Sequence, residues 1–448
     1  MRPLTFTPSG SVGLDFGTTN SAIAAVVRSQ PTLAEFPSAG GATRTFPSVL
    51  YFERRKQGAL TRLMSAAGPR ALEQYLEAED KGRLIQSLKA YLADRRFDGT
   101  GVFSQHYSLE DMIALIARHL LTDATGLPPL PSRVVVGRPV NFSDAQTSDD
   151  NEFALGRLRA AITQCGFEDI VFEYEPVAAA YSYERTLNRD ELILIGDFGG
   201  GTSDFSILRV GPTQRQRGRA REDIIGADGV AVAGDAFDRQ IIRKLVAPRL
   251  GLGSDYFSPP DKFLPIPSWP YERLERWHHL SFLNTSKNLE MLEQLGRSAL
   301  IPERLEAFVH LIKSEMGFRL HEAVRQVKFE LSVSTEAVFE FRCEPVAITK
   351  KVTRLDFEKW IAPEVSLMAN CVDRLLNGTG VAAHEIDHVF LTGGSSFVPA
   401  VRNIFVHRFG AHKITGGEEL TSVATGLALC AAERWPEEVS GQRLPRST

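Results

Sequence analysis

The chain has 448 residues, of which 43% are hydrophobic and 24% charged; this is ordinary globular composition, and the length predicts two or three domains. Fifty-one basic against 55 acidic side chains give a net charge of −4, which argues against a general binder of polyanions. The four cysteines form no Cys-x-x-Cys pair and no zinc-ligand spacing, which excludes a disulfide scaffold and a zinc site.

The sequence carries no recognisable targeting or membrane signal. Residues 1–11 lack the apolar core of a signal peptide. The apolar stretch 423–432 is too short to span a bilayer and reads as a buried helix. We therefore expect a cytoplasmic protein that binds neither a membrane nor nucleic acid.

Strand and helix patterns alternate along almost the whole chain, which is typical of α/β layers. Two apolar runs, 12–16 and 21–27, flank a Gly-Thr-Thr-Asn turn and predict a hairpin. Further along the chain, the patterns predict helices at 109–121, 153–165 and 176–183, with strands at 133–137 and 170–173.

The second half begins with a similar strand–turn–strand pattern, 192–195 and 205–210, around a glycine-rich turn. A strand at 389–391 and helices at 399–409 and from 423 follow. The two similar patterns are a weak internal repeat and suggest two related lobes that face each other. We predict a first lobe over 1–190, a second over 191–420, a closing helix over 421–435 that returns to the first lobe, and a flexible tail over 436–448.

The region of about 251–330 differs from the rest because prolines and tryptophans are concentrated in it. Large aromatic side chains need something to pack on, so we expect an ordered insertion in the second lobe with a small local core. Just before it, every second residue from Arg215 to Arg221 is arginine, which predicts one solvated face of a strand or hairpin tip.

The turn from Gly13 to Asn20, Gly-Leu-Asp-Phe-Gly-Thr-Thr-Asn, has the composition of a phosphate-binding loop. Successive backbone N–H groups in such a turn form an anion-binding nest, and Thr18 and Thr19 add hydroxyl groups. Asp15, at the end of its strand, is placed to hold Mg²⁺ through the water shell of the ion. A plain hairpin turn is the alternative reading of this motif taken alone.

A second turn, Asp197 to Asp204, repeats this logic with three consecutive glycines, Gly199, Gly200 and Gly201. Three glycines in a row cost folding entropy and are hard to explain by packing. Two facing turns of this kind would enclose a triphosphate and one Mg²⁺. A third turn, Gly393-Gly394-Ser395, would lie near the base and sugar of a nucleotide. The sequence contains neither a Walker A loop nor a Rossmann fingerprint.

These turns resemble the phosphate-1, phosphate-2 and adenosine motifs of the actin, sugar-kinase and heat-shock ATPase superfamily, at 12–26, 196–208 and 389–401. Residues 174–180 are similar to its first connecting segment. Two further segments, 234–238 and 353–358, look like the seventy-kilodalton heat-shock (DnaK-type) family, and the insertion is similar to that of its small YegD-type branch. The resemblance implies an actin-like α/β ATPase fold with two ribonuclease-H-like lobes around a nucleotide cleft.

By this resemblance the protein hydrolyses ATP to ADP with Mg²⁺ and K⁺. Asp15 and Asp197 would orient the waters of the magnesium ion, and Asp204 would help to hold the monovalent cation or simply face solvent. The resemblance also implies roles for the residues around the phosphates. Thr202 would sit near the attacking water, Glu175 would position that water or cap a helix, and Lys89 would face the γ-phosphate or lie on the surface. The phosphates would be bound by Gly17, Thr18, Thr19, Asn20, Gly199, Gly200 and Gly201.

On the base side, Lys328, Ser332, Gly393, Gly394 and Ser395 match adenosine contacts of the family. The sequence departs from the family at three positions, where Arg325, Phe329 and Phe397 replace a glutamate and two arginines. Either phenylalanine would stack on a base or pack against apolar neighbours, so base selectivity stays open.

The sequence thus predicts a Mg-dependent ATPase of the heat-shock chaperone superfamily, with a protein client or co-chaperone as a partner. No Leu-rich linker or β-sandwich pattern follows Trp435, so we do not expect peptide clamping of the usual kind. A bacterial actin-like filament protein and a small-molecule kinase of the same superfamily are the alternatives. No catalytic aspartate of a kinase substrate pocket can be identified in the sequence.

Overall fold

The computed structural model describes residues 6–7, 10–28, 30–38, 41–57, 60–78, 82–143, 145–217, 221–276, 283–314, 316–416 and 422–436. Arg219, Trp277 and the predicted tail after Pro436 lie outside these residues. The strands are β1 (Val12–Asp15), β2 (Asn20–Val27), β3 (Gln30–Leu33), β4 (Phe46–Pro47), β5 (Val49–Gln57), β6 (Leu60–Ala67), β7 (Arg83–Gln86), β8 (Gly99–Val102), β9 (Gln105–Ser108), β10 (Arg133–Arg138), β11 (Asp169–Tyr174), β12 (Glu191–Phe198), β13 (Ser203–Val210), β14 (Ile224–Val230), β15 (Asp255–Ser258), β16 (Lys262–Pro265), β17 (Glu336–Cys343), β18 (Val346–Thr353), β19 (His388–Thr392) and β20 (Ile414–Gly416).

The α-helices are α1 (Gly68–Glu77), α2 (Leu109–Asp123), α3 (Ser148–Thr163), α4 (Glu175–Glu184), α5 (Pro212–Arg217), α6 (Gly234–Ile241), α7 (Trp269–Leu274), α8 (Ser286–Ser298), α9 (Pro302–Lys313), α10 (Gly317–Val333), α11 (Arg354–Thr379), α12 (Pro399–Phe409) and α13 (Ser422–Arg434). No described helix combines the length and the apolar character needed to cross a bilayer.

Two large sheets share one topology. The first has the order β11-β10-β1-β2-β3, and the second has the order β14-β13-β12-β19-β20. In each sheet, an antiparallel hairpin (β1–β2 or β12–β13) lies beside parallel strands that return after helical segments. The predicted hairpins and the α/β fold class are therefore confirmed, and the weak sequence repeat corresponds to a repeated sheet.

Each sheet has its own hydrophobic core. Leu14, Ile23, Val134 and Val136 are fully buried under α2 and α3 in the core of the first sheet. The second core extends from β12 and β13 to α7–α10. The region of about 251–330 contains the hairpin β15–β16 and otherwise helices. Its buried side chains, such as Tyr271 and Phe308, belong to the second core, so the prediction of a small local core was wrong.

Helix α13 packs on the first sheet although it is the last helix of the described chain. Its small residues Ala424 and Ala428 lie against Ala22 and Ala24 of β2. On its other side, Leu427 and Ala431 contact Val135 of β10 and Ala178 of α4. Small side chains on both surfaces allow this close approach of helix and sheet.

Two predicted elements differ from those observed. Helix α3 begins at Ser148 instead of 153, because Thr147 caps it and exchanges hydrogen bonds with Asp150 in a capping box. The predicted strand face of alternating arginines was wrong, since Arg215 and Arg217 lie on helix α5. Arg215 donates to the carbonyls of Arg185 and Leu187, so contacts with the preceding loop stabilise the helical turn.

Candidate functional site

A cavity of about 500 Å³ lies where the ends of the two central hairpins meet. Among the predicted site residues, only Gly201 does not line it. The others all do: Asp15, Gly17, Thr18, Thr19, Asn20, Lys89, Glu175, Asp197, Gly199, Gly200, Thr202, Asp204, Lys328, Ser332, Gly393, Gly394 and Ser395. Residues from both halves of the sequence thus form a single site.

Two serine side chains, Ser21 and Ser48, support the first turn through hydrogen bonds. The backbone N–H of Gly17 donates to Ser21 Oγ at 3.2 Å, and Ser21 Oγ lies 2.8 Å from Ser48 Oγ. Thr19 Oγ1 is buried and has no hydrogen-bond partner in the described protein. A buried hydroxyl group without a partner is costly, and a bound oxyanion would satisfy it.

The second turn is tighter than the sequence predicts, because β12 continues through Asp197 to Phe198 and β13 begins at Ser203. The N–H of Gly199 donates to the carbonyl of Thr202 at 2.9 Å and closes the turn. A Cβ atom on Gly200 would lie 2.2 Å from Thr19 Oγ1. A side chain at position 200 would therefore displace the Thr19 hydroxyl group, which glycine leaves in place.

Lys89 and Glu175 form a buried ion pair at the side of the cavity, with Lys89 Nζ 2.6 Å from Glu175 Oε1. Lys89 lies on a 3₁₀ turn at Leu88–Tyr91 and is only 8% exposed, so its reading as an ordinary surface lysine was wrong. Burial acts to lower the pKa of Lys89, but the nearby carboxylates of Glu175 and Asp15 outweigh it and raise the pKa above its usual value.

Three aspartates, Asp15, Asp197 and Asp204, line the cavity and are partly exposed. Burial, followed by repulsion from Glu175, raises the pKa of Asp15 to about 7 and also raises that of Asp197. Burial and the charge of Asp197 raise the pKa of Asp204 to about 7. Carboxylates that disfavour their own ionisation in this way are stabilised by a nearby cation.

The aspartates do not form a closed cage for a metal. Among the described residues, no three His, Cys, Asp or Glu side chains converge closely enough to ligate an ion directly. This arrangement fits Mg²⁺, which keeps several waters and is held by one or two carboxylates together with substrate phosphates. The same arrangement does not suit an ion that is coordinated only by protein side chains.

The third turn begins where β19 ends. Gly393 has φ of +84°, and a Cβ there would lie 2.0 Å from the carbonyl oxygen of Phe198, so only glycine fits. The preceding residue, Thr392, donates from Oγ1 to Asp197 Oδ1 at 2.6 Å. The third turn therefore fixes the carboxylate of the second.

Lys328, from α10, lines the cavity and is tied to α6. Lys328 Nζ lies 2.7 Å from Asp238 Oδ1 and 3.2 Å from the carbonyl oxygen of Gly234. Ser332 Oγ donates to the carbonyl of Lys328 at 3.0 Å. Phe329 and Phe397 also line the cavity and are 62% and 54% exposed.

Sequence reasoning missed several residues that the fold adds to the site. Asp235 and Asp238 line the cavity from α6, and Thr392 orients Asp197. Burial and the charge of Asp238 raise the pKa of Asp235 to about 6. The spacing of two aspartates at the start of a helix, i and i+3, is a local signal that could have identified the first two. No local signal identifies Thr392.

Two comparisons with known proteins bear on this site. A model of the family described as "Hsp70 protein" matches residues 309–442. The "Chaperone protein DnaK" of Thermosipho melanesiensis is 26% identical over 425 residues, which are 94% of this chain and 59% of that relative. The chain thus spans less than two thirds of the relative's length. The chain is therefore similar in sequence to the Hsp70 family, and its two related sheets surround one glycine-lined cavity.

Proposed function

We propose that this cleft binds Mg-ATP and hydrolyses it to ADP and phosphate. The observation that carries the proposal is the contact of the two glycine turns beside a buried lysine–glutamate pair and three half-buried aspartates. A triphosphate needs N–H donors and positive charge around it, whereas a structural turn needs neither. The partnerless Thr19 hydroxyl supports an oxyanion at this place.

In this proposal, the backbone N–H groups of both turns and the hydroxyl groups of Thr18 and Thr19 bind the β- and γ-phosphate oxygens. Asp15 and Asp197 hold Mg²⁺ through its waters, and the ion neutralises phosphate charge when it is bound. Thr392 fixes one oxygen of Asp197 and so aims the other oxygen.

The Lys89–Glu175 pair acts as one unit. An ammonium group has three donors, and Glu175 Oε1 takes one of them. The remaining donors of Lys89 are available to the γ-phosphate, while the second carboxylate oxygen of Glu175 orients the attacking water. Losing one preorganised donor of this kind slows catalysis by about 10²–10³-fold. Thr202, which donates to Asp204 at 3.0 Å, positions the water from the opposite side.

The biological role that we propose is that of a chaperone-type ATPase. Residues 1–190 and 191–420 would form its two lobes, with α13 returning to the first, and nucleotide state would change their closure. A protein client or co-chaperone would respond to that movement. We also propose K⁺ beside Asp204, membership of the YegD-type branch and a cytoplasmic location.

The test is Mg-dependent phosphate release from ATP by the wild type and by Asp197→Asn. The amide keeps one oxygen as the acceptor for Thr392, and it loses the charge and the second acceptor oxygen. The control is Asp387→Asn, at the opposite end of the same strands, where Asp387 Oδ2 accepts from the N–H of Leu192 at 2.9 Å. We expect Asp197→Asn to lose at least about tenfold in rate and the control to match the wild type.

Equal turnover by the wild type and Asp197→Asn would refute the assigned site. ADP formation that requires an added acceptor would instead identify a kinase. ATP-dependent light scattering that rises with protein concentration would identify a filament-forming protein.

A further inference from the structure

A second cavity, of about 680 Å³, adjoins the cavity between the glycine turns. The residues that line both cavities are Asn141, Phe142, Ser143, Thr202 and Asp204. In the proposed binding mode Thr202 lies beside the attacking water, whereas the residues assigned to the base, such as Lys328 and Ser332, line only the first cavity. The second cavity therefore begins where cleavage of ATP would release phosphate.

Arg138, at the end of β10, is the only basic residue among the described residues that line the second cavity. It is 9% exposed, and its guanidinium lies 4.9 Å from the ring centroid of Tyr174. Its Nε donates to the carbonyl of Pro139 at 3.2 Å, and Glu152 Oε1 is 3.9 Å from Nη1, beyond hydrogen-bond distance. A guanidinium group has five N–H donors, so most of those of Arg138 have no acceptor in the described protein.

Three carboxylates also line the second cavity, those of Glu152, Asp204 and Asp228. The side chain of Glu152 is 72% exposed, so solvent screens its charge. Asp228 accepts from Nε of Arg374 at 3.0 Å, which offsets its charge. Asp204 lines both cavities, so its charge acts at the boundary between them. Arg138 is thus the buried charge that belongs to the second cavity alone and has no close partner of opposite charge.

We propose that the second cavity is a separate oxyanion site, which receives the cleaved phosphate and holds it on Arg138 while ADP is still bound. The inference rests on the proposed hydrolysis of ATP and adds an exit for one of its products. Phosphate suits this place because its oxygens can accept from the planar set of guanidinium donors. ADP would not have to leave first, because the residues assigned to the base line only the first cavity.

The first test measures the dissociation constant of inorganic phosphate by phosphorus NMR, on protein saturated with Mg²⁺ and a non-hydrolysable ATP analogue. The analogue fills the γ-phosphate position, so only a separate site can take the added phosphate. The variants are Arg138→Gln and Ala145→Asp, since Ala145 lines only the second cavity and the aspartate adds a negative charge there.

Each variant has a matched control. Ala145→Asn has nearly the same shape as Ala145→Asp without the charge. Arg159→Gln removes a guanidinium that also lies over an aromatic ring, 4.8 Å from the centroid of Phe172, and also donates to a carbonyl, but that lines neither cavity. Because Arg138 is buried, thermal melting checks that Arg138→Gln folds, and the Ala145 pair decides the question if it does not.

We expect both controls to bind phosphate as tightly as the wild type. Arg138→Gln should bind it about ten- to hundredfold more weakly, the scale of a hydrogen bond to a charged group, and Ala145→Asp should bind it more weakly than Ala145→Asn. The affinity for the ATP analogue should be the same in all five proteins.

The second test asks whether the cleaved phosphate uses this site. In a single turnover, acid quenching reports the cleavage of ATP, and a fluorescent phosphate sensor reports free phosphate. We expect the delay between the two signals to be at least about twofold longer in Ala145→Asp than in Ala145→Asn, because the added charge repels the leaving anion. Equal delays indicate a site that takes phosphate only from solution and overturn the exit role.

The inference and the proposed function fail in different ways. If the analogue-saturated wild type binds no phosphate, or if Arg138→Gln folds and binds it as tightly as the wild type, the oxyanion site is overturned and the ATPase proposal stands. Failure of the wild type to bind the ATP analogue refutes the proposed function, and the inference fails with it.

Discussion

Gly426 lies in the middle of α13, where that helix presses against α4. A Cβ added to Gly426 would lie 1.7 Å from the carbonyl oxygen of Ala178 and 2.5 Å from its carbonyl carbon. Both atoms belong to the backbone, so no side-chain rotation relieves the contact. In Gly426→Ala the Cβ–oxygen distance has to lengthen to at least 3.0 Å, which moves α13 and α4 apart.

The size of the effect follows from two opposing contributions. Overpacking a buried contact costs about 1–3 kcal/mol or more, and a clash with backbone belongs at the upper end. Replacing glycine by alanine within a helix returns about 1 kcal/mol of helix propensity. We therefore expect Gly426→Ala to lower the free energy of unfolding by about 2 kcal/mol.

Gly156 provides a matched control in the exposed middle of α3, where an added Cβ meets nothing within 4 Å. Gly156→Ala should raise the free energy of unfolding by about 0.5–1 kcal/mol. The assay is urea unfolding of the nucleotide-free protein, followed by circular dichroism and tryptophan fluorescence. The two midpoints should shift in opposite directions, and a neutral or stabilising Gly426→Ala would refute the close packing of α13 on α4.

Two further predictions concern pH and nucleotide release. Burial lowers the pKa of His321 to about 4, so the neutral ring contributes stability that is present above pH 6.5 and lost as the pH falls towards 4. This loss in the free energy of unfolding reaches about 3 kcal/mol. Unfolding midpoints measured between pH 4 and 7 should therefore depend less on pH in His321→Gln than in the wild type. An identical pH dependence of the midpoints in both proteins would contradict this role of His321. Tyr75 of α1 contacts Phe318 of α10 edge-on, with ring centroids 5.8 Å apart, and so joins the two sides of the cleft. Tyr75→Ala should release a fluorescent ADP analogue about two- to tenfold faster in stopped-flow experiments, and an unchanged rate would exclude a role for this contact in closure.

Much of the fold could be predicted because its signals are local. The hairpins β1–β2 and β12–β13 alternate apolar runs with glycine turns, and helix α2 has regular 3.6-residue periodicity. Strand β17 also has a strict alternation of buried and exposed residues, which the sequence analysis overlooked. The residue at which a helix begins was harder to predict, because it depends on the side-chain hydrogen bonds of the cap. The capping box of α3 is an example.

Local sequence by itself determined which turns are rich in glycine and which aspartates lie in or beside those turns. The tertiary structure alone decided which of these groups meet. Lys89 and Glu175 are 86 positions apart, and Thr392 and Asp197 are 195 positions apart, so no local pattern joins them. The physical reason is that folding within each half brings distant segments together: Asp197 and Thr392, for example, are register partners on the parallel strands β12 and β19. Burial in the folded protein then raises the pKa values of the aspartates.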